Sequence, residues 1–476
     1  MAEFTKQVLR ELPQIDELLR REEVRKAGGG LPGEALAVAV REAVSDLRRG
    51  VLSGMLSMGQ LRERIARLPD ELRARIATLS RSSLRPVING TGILIHTNLG
   101  RAPLARGALE RVVAASGQYA SLEYDIAAGR RGSRGDHLAH SAARLFPGCL
   151  LHAVNNNAAA LLLVLNTFAQ GREVLISRGE LIEIGGSFRI PDILARSGAI
   201  LREVGTTNRT RLADYEKALG PSTAMILKVH TSNYRIVGFT ASAALEDLVG
   251  LGRQKGVPVV VDQGSGSLVD VAALGMPEEP PAGALLAAGA DLVLFSGDKM
   301  LGGPQAGLIV GAPEMVKQCA QNPLSRALRL DKMAIAALEW VLQSYASGRA
   351  VQEIPLLRML FEPAESVGRR ALRIARSVRK EAGSLLRIEV VDGASLTGGG
   401  SAPLTEIPTR LLSVSSQTLS AAELDERLRS GEPPVVGRLH EGRLLIDPRT
   451  VLPEQQNGLI AALRSLAARE PGNQYE

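Results

Sequence analysis

The sequence predicts an α/β protein: a mostly parallel sheet covered by helices, with a helical N-terminal domain before it and a small α+β domain after it. Three observations carry this. From Leu150 to Val310, short apolar runs alternate with stretches of helical period. The runs are flanked by glycine and unbroken by polar alternation, the pattern of strands buried on both faces. The chain has 476 residues, 45% hydrophobic and 22% charged, which is enough for a core of two or three domains.

Residues 1–85 are expected to form the helical domain. Phe4–Arg25 spaces Leu9, Ile15, Leu18 and Leu19, and Ala27–Gly33 (AGGGLPG) is a break. Leu36, Val40, Ala43 and Leu47 follow a 3.6-residue period, which predicts an amphipathic helix over Glu34–Arg49; another is expected over Met58–Leu68. Fourteen Lys or Arg stand against twelve Asp or Glu in residues 1–80, a mixed surface rather than a basic tail. An oligomerisation domain and an RNA-docking domain both fit.

The large domain is expected over residues 86–350. Val87-Ile88 and Ile93–Ile95 read as strands joined by a Gly90-Thr91-Gly92 turn, and Asn98-Leu99-Gly100-Arg101 leads to a helix near Pro103. Gln118–Arg134 is polar and gathers Arg130, Arg131 and Arg134, either a solvated face or an approach to a phosphate. Leu150–Val154 is a strand, followed by Asn155-Asn156-Asn157 and a helix over Ala158–Phe168. A helix starting directly after a strand offers free N–H groups and a positive dipole end, a phosphate cradle; the asparagines serve equally as an N-cap. Further strands are expected at Glu173–Ser177, Ile200–Val204, Ala224–His230 and Val257–Asp262. A loop and helix are expected within Arg178–Arg189, and helices at Leu212–Leu219, Ala244–Lys255 and Leu330–Tyr345. Functional groups in such sheets collect at strand C-terminal ends.

The C-terminal domain, residues 351–476, should open with a helix over Ala364–Ala382. Strands follow near Ile388–Val391, Thr409–Val414, Val435–Leu439 and Arg443–Ile446, with helices at Ala421–Arg429 and Glu454–Ala468. Gly398-Gly399-Gly400 lacks the strand–helix context of a dinucleotide fingerprint.

Bulk properties narrow the function. A net charge of +7 permits an anionic partner such as RNA. Two cysteines, Cys149 and Cys319, give neither a disulfide framework nor zinc spacing; no metal site is expected, and a reducing compartment fits. No signal-type or membrane-length apolar stretch is present, so no membrane role is expected. Aromatics at 3% argue against base recognition by stacking.

The chemistry is expected in Ala288–Gly311 (AGADLVLFSGDKMLGGPQAGLIVG). Two buried runs, Leu292–Phe295 and Leu308–Val310, bracket Ser296, Asp298, Lys299 and the return Gly302-Gly303-Pro304. A lysine held on such a junction suits Schiff-base chemistry. A free lysine is only about 0.04% neutral at pH 7, and condensation with an aldehyde cofactor removes that handicap. Asp262, ending an apolar strand upstream, is either a turn former or the acid that pairs with a pyridine N–H. His230, also at a strand end, is either a structural histidine or the residue that stacks on a cofactor ring.

Taken in order, VNNNAAA (154–160), SRGELIEIGGSFRIPDI (177–193), EVGTTNRT (203–210), KVHTSNY (228–234), DQGSGSLVD (262–270), FSGDKMLGGPQAG (295–307) and RALRLDKM (326–333) closely resemble the bacterial selenocysteine synthases, the L-seryl-tRNA(Sec) selenium transferases. The likeness extends to the N-terminal region and to INGTGILIHTNLGR. It implies a fold-type I, aspartate-aminotransferase-like enzyme with pyridoxal phosphate (PLP) on Lys299. It also implies a cytoplasmic homo-oligomer, a ring of dimers with ten subunits, and an N-terminal domain that docks tRNA. The implied reaction eliminates the seryl hydroxyl through an aminoacrylyl-tRNA intermediate and adds selenium from selenophosphate. Asn156, Asn157 and Ser296 are then candidates for the cofactor phosphate, and Arg101, Arg326 and Arg329 for the selenium donor. Asp298 is either part of the donor-side network or a turn acid. The competing expectations are a lyase or aldolase of the same superfamily acting on a small free amine, and a tRNA-binding scaffold without chemistry.

Overall fold

The structure is a computed structural model that describes residues 11–27, 33–80, 82–185, 188–231, 234–276, 279–382, 385–399 and 405–467. The chain divides into two compact units, Met1–Pro86 and Val87–Glu476.

The first unit is helical: Ile15–Arg20, Glu22–Ala27, Gly33–Leu52 and Met58–Ser80. The period expected over Glu34–Arg49 buries Val40, Ala43 and Leu47 against Leu18, Val24 and Leu61. The last helix runs well beyond Leu68 and straight across Pro69. An interior proline costs about 3 kcal/mol. Leu68, Leu72 and Ile76 are all buried, at about 1.5–3 kcal/mol each, and outweigh it. Residues 4–10 of the expected Phe4–Arg25 pattern and 28–32 of the AGGGLPG break lie outside the described residues.

The second unit holds eighteen short and long strands among its described residues. In chain order they are β1 (Ile88–Asn89), β2 (Ile93–Ile95), β3 (Tyr124–Asp125), β4 (Arg130–Arg131), β5 (Leu150–Val154), β6 (Glu173–Ser177), β7 (Glu183–Gly185), β8 (Phe188–Arg189), β9 (Ile200–Val204), β10 (Thr223–Val229), β11 (Val259–Gly264), β12 (Leu292–Ser296), β13 (Gly307–Gly311), β14 (Leu386–Gly398), β15 (Glu406–Ser416), β16 (Val435–Val436), β17 (Arg438–His440) and β18 (Arg443–Ile446). The central sheet has the order β5-β13-β12-β11-β10-β6-β9, and only β13 runs against its neighbours. Its alternation explains the unbroken apolar runs. Val261, Val293, Phe295 and Leu308 pack on one face, and Val260, Leu292, Leu294 and Ile309 on the other, so both residue parities need to be apolar. Register places Val229 beside Asp262 and Asp262 beside Leu294, so the C-terminal ends of β10, β11 and β12 meet at one level.

Two expectations are corrected. Arg178–Arg189 forms a 3-10 turn, Arg178–Glu180, and the β7–β8 pair; the helix begins only at Ile190, where Pro191 sits in its first turn. β1 and β2 are not a hairpin. β1 pairs in parallel with β16, and β2 lies at the edge of the second sheet, β17-β18-β15-β14-β2. Both strands thus pair with C-terminal residues, β1 in a two-stranded sheet with β16 and β2 in the five-stranded sheet, although they fall within 86–350 in sequence. The five-stranded sheet packs on the helix Ala364–Ala382 through Ile374, Val378, Ile388 and Leu412.

Candidate active site

Lys299 lies in the tight return between β12 and β13. Gly297 N–H donates to the Ala306 carbonyl (2.8 Å), Gly303 N–H to Gly297 (2.8 Å) and Gly302 N–H to Lys299 itself (2.9 Å). Met300 N–H donates to the Ser265 carbonyl (2.9 Å), which ties the turn to the loop after β11. Close approach demands glycine here: a Cβ on Gly307 would meet the Asn156 carbonyl oxygen at 2.0 Å, and one on Gly266 would meet that of Ser296 at 2.3 Å. The turn is thereby pressed against the start of the helix Asn157–Phe168.

The ionisable groups are buried: Lys299 is 5% exposed, Asp298 8% and Asp262 3%. Burial pushes the Lys299 ammonium below its ordinary pKa, and Arg101 adds to this, while Asp262, Asp298 and Glu279 oppose it. Burial pushes the Asp262 carboxyl above its ordinary value, against the hydrogen bond from Asn157 and the charges of Lys299 and His230. Burial thus destabilises the charged form of each group.

Asn157 Nδ2 donates to Asp262 Oδ1 at 2.8 Å. The Asn157 side chain therefore orients the acid rather than forming part of a phosphate cradle. Asn156 Oδ1 accepts from Ala159 N–H at 2.9 Å and caps the helix. Asn156 Oδ1 and Asn157 Nδ2 are thus engaged, and an anion at this helix start is left to the backbone N–H groups of its first turn that the cap does not take. Ser296 is buried at the end of β12, opposite Gly307. His230 follows β10; its N–H donates to the Asp262 carbonyl (2.9 Å), and its Nε2 lies 2.8 Å from Glu279 Oε1.

Arg101 reaches the site from β2. A 3-10 turn, Thr97–Leu99, ends in Gly100, and Arg101 itself has φ 63°, a left-handed conformation costing roughly 1–2 kcal/mol in a non-glycine residue. Its N–H donates to the His96 carbonyl (3.1 Å), and Nη1 donates to both oxygens of Asp298 (3.0 and 2.8 Å). Asp298 is thus the partner of Arg101 rather than a simple turn acid. Arg326 and Arg329 line a separate cavity of about 400 Å³ with Arg131, Arg134 and His152. There Arg134 (2.7 Å), Arg131 (3.4 Å) and Arg329 (3.5 Å) converge on Glu123, whose carboxyl they hold below its usual range. Of the expected arginine cluster, Arg134 is thus a partly buried, paired residue, whereas Arg130 and Arg131 stay on a solvated face.

Sequence reasoning missed Glu279 and Gln263. Gln263 donates through Nε2 to the carbonyls of Pro280 (2.7 Å) and Ser267 (3.1 Å). A cleft of about 590 Å³ opens beside His230 and Gln263, walled by Glu180, Lys228, Arg209 and Tyr234. Several buried polar atoms near Asp262 have no partner: Asn157 Oδ1, Gln263 Oε1 and Ser265 Oγ. A buried acid, a buried lysine of depressed pKa, orphaned acceptors and donors, and an open helix start fit a cofactor with an aldehyde, a protonated ring nitrogen and a phosphate. Among the described residues no cluster of three or more His, Cys, Asp or Glu is placed to hold a metal ion, and no helix is long and apolar enough to cross a membrane.

A family model described as L-seryl-tRNA selenium transferase matches residues 87–452. The chain belongs to that family. A second model, selenocysteine synthase N terminal, matches residues 9–48. The L-seryl-tRNA(Sec) selenium transferase of Geobacter sulfurreducens is 44% identical over 458 residues, 96% of this chain and 99% of that protein. The one from Moorella thermoacetica is 45% identical over 463 residues, 96% of this chain and 97% of that protein. Among solved structures, D-glucosaminate-6-phosphate ammonia-lyase has a TM-score of 0.56 at 20% identity, covering 81% of this chain and 96% of that one. Like that neighbour, this selenium transferase family member has the fold-type I, aminotransferase-like architecture.

Proposed function

We propose that this chain converts L-seryl-tRNA(Sec) to L-selenocysteyl-tRNA(Sec), with PLP as cofactor and selenophosphate as selenium donor. The observation that carries the reading is Lys299, buried beside Asp262 in a chain of this family. Bound there, PLP supplies an electron sink for bonds broken at the serine Cα and Cβ. Lys299 would hold the cofactor and, as a buried amine of lowered pKa, is suited to taking the Cα proton. Asp262, steered by Asn157, keeps the proton on the ring nitrogen. Backbone N–H groups of the helix Asn157–Phe168, with Ser296, would hold the phosphate, and His230 would serve the ring.

In the substrate the serine carboxyl is esterified, so no arginine is needed to clamp a carboxylate. Arg101, from its pair with Asp298, and Arg326 and Arg329, from the separate cavity they share with Glu123, then bind the selenium donor through planar forks of donors. Residues 1–85 dock the tRNA, 86–350 carry the cofactor and 351–476 form the small domain. The protein works in the cytoplasm as a homo-oligomer, a ring of dimers. The small-amine lyase reading draws on fold likeness alone, which says nothing about substrate.

The test is to incubate the purified protein with PLP, selenophosphate and either seryl-tRNA(Sec) or free serine. Selenocysteyl-tRNA formed from the charged tRNA, with free serine inert, is the expected result. Turnover of free serine with the charged tRNA inert would sink the reading.

A further inference from the structure

The buried Glu279 is unclaimed by the chemistry above, yet it sits among the groups that perform it. It is 2% exposed, and its Oε1 lies 2.8 Å from His230 Nε2. Its position is set by the same loop that follows Asp262. Glu279 N–H donates to the Met276 carbonyl (3.2 Å), Gln263 Nε2 grips the Pro280 carbonyl (2.7 Å), and Ala282 N–H donates to the Ser267 carbonyl (2.9 Å). His230 is fixed at its other end by its main-chain bond to Asp262. A carboxylate buried this deeply is costly unless it is paired, and here its partner is the imidazole placed beside the cofactor acid.

We propose that Glu279 is a positioning residue for this reaction: it locks the ring orientation and tautomer of His230 and sets the charge balance around Lys299. The inference rests on the PLP reading of the site. An ionised carboxylate only accepts, so Nε2 carries a proton toward Glu279, and in the neutral ring this leaves Nδ1 as the acceptor nitrogen. The arrangement mirrors the way a carboxylate behind a working histidine fixes its tautomer. Glu279 also adds, after Asp262 and Asp298, to the charges that favour the protonated form of Lys299 against burial and Arg101. The charged groups facing His230 are Glu279 from its loop and Asp262 from β11, with Glu180, Lys228, Arg209, Arg235 and Glu246 lining the shared cleft. Glu279 is the one whose carboxylate is bonded to the ring.

The test uses the full-length, PLP-loaded protein and three readouts: the pH at which the visible absorbance of the lysine-bound cofactor changes, steady-state turnover, and thermal unfolding. Glu279→Gln keeps the shape and removes the charge. It is expected to move the absorbance titration to lower pH by about half a unit to one unit. It should also lower kcat about 10–100-fold while KM for the charged tRNA holds. Glu279→Asp keeps the charge and should leave the titration near the wild-type position. In a His230→Asn background, Glu279→Gln should cost little further rate. An unmoved titration, or a rate loss undiminished in that background, would overturn the proposal. Because the absorbance needs no tRNA, that failure is distinguishable from a wild-type protein that does not turn over seryl-tRNA.

Discussion

Arg101 and Asp298, 197 positions apart, are joined by one guanidinium nitrogen bonded to both carboxylate oxygens, at 3.0 and 2.8 Å. The contact anchors the segment leaving β2 to the residue before Lys299, and the Ala102 N–H bond to the Asp298 carbonyl (3.2 Å) reinforces it. Each partner should therefore matter through the other. Arg101→Ala and Asp298→Asn are each expected to destabilise by about 1–3 kcal/mol. The double variant should fall short of their sum by about 0.5–3 kcal/mol. Denaturant titration of the four proteins measures this, and strict additivity would show that the pair is incidental.

Asp262 makes the cofactor-free protein sensitive to pH. Its folded pKa lies above its ordinary 3.8. The folded state thus holds a proton that the unfolded state has released, and stability falls as pH rises through that window and stays low above it. Asp262→Asn, which cannot ionise, should melt a few degrees higher than wild type at pH 8 without cofactor and lose that advantage near pH 3. Lys299 has the opposite sign: its lowered pKa is a penalty below the folded value that is relieved as pH rises toward 10.5. Melting curves of the cofactor-free proteins from pH 3 to 9 read the difference.

Gly307→Ala is a test of the turn rather than of its chemistry. The added Cβ would meet the Asn156 carbonyl oxygen at 2.0 Å, backbone against side chain with nothing flexible to yield. A loss of more than about 3 kcal/mol is expected, or a displaced helix start with weakened cofactor affinity. Unchanged stability and affinity would mean that the close approach is dispensable.

The central sheet was legible because strands covered on both faces carry unbroken apolar runs, as Val259–Val261 of β11 and Leu292–Phe295 of β12 do. The Lys299 turn was legible for a related reason: glycines flank a lysine between two such runs. What escaped is tertiary. No spacing rule tells that Asn157 turns to Asp262, 105 positions away, while Asn156 caps the helix. β1 and β2 read as a hairpin because their turn is short, but their partners lie in β16 and β14, more than 300 residues on. Glu279 sits in a proline-rich run that reads as plain loop, and only the bond to His230 singles it out. The helix that crosses Pro69 was cut short because the proline is a local signal, whereas the burial that overrides it is not.

Met1–Pro86 is a compact unit with its own apolar core, which makes it separable from the chemistry. Deleting it should leave the visible absorbance of the cofactor intact and reduce affinity for tRNA(Sec) at least tenfold. Filter binding and a spectrum of the truncated protein check this. Full tRNA affinity without the segment would remove it from the docking role.

The most direct measurement is the absorbance spectrum of the purified, PLP-loaded protein and its Lys299→Ala variant, before and after seryl-tRNA(Sec). The wild type should show a visible band from the lysine-bound cofactor that changes with the charged tRNA and not with free serine, and the variant should lack both the resting band and turnover. A variant that keeps the wild-type band and activity, or a wild-type band that responds only to small amines, would contradict the account at its centre.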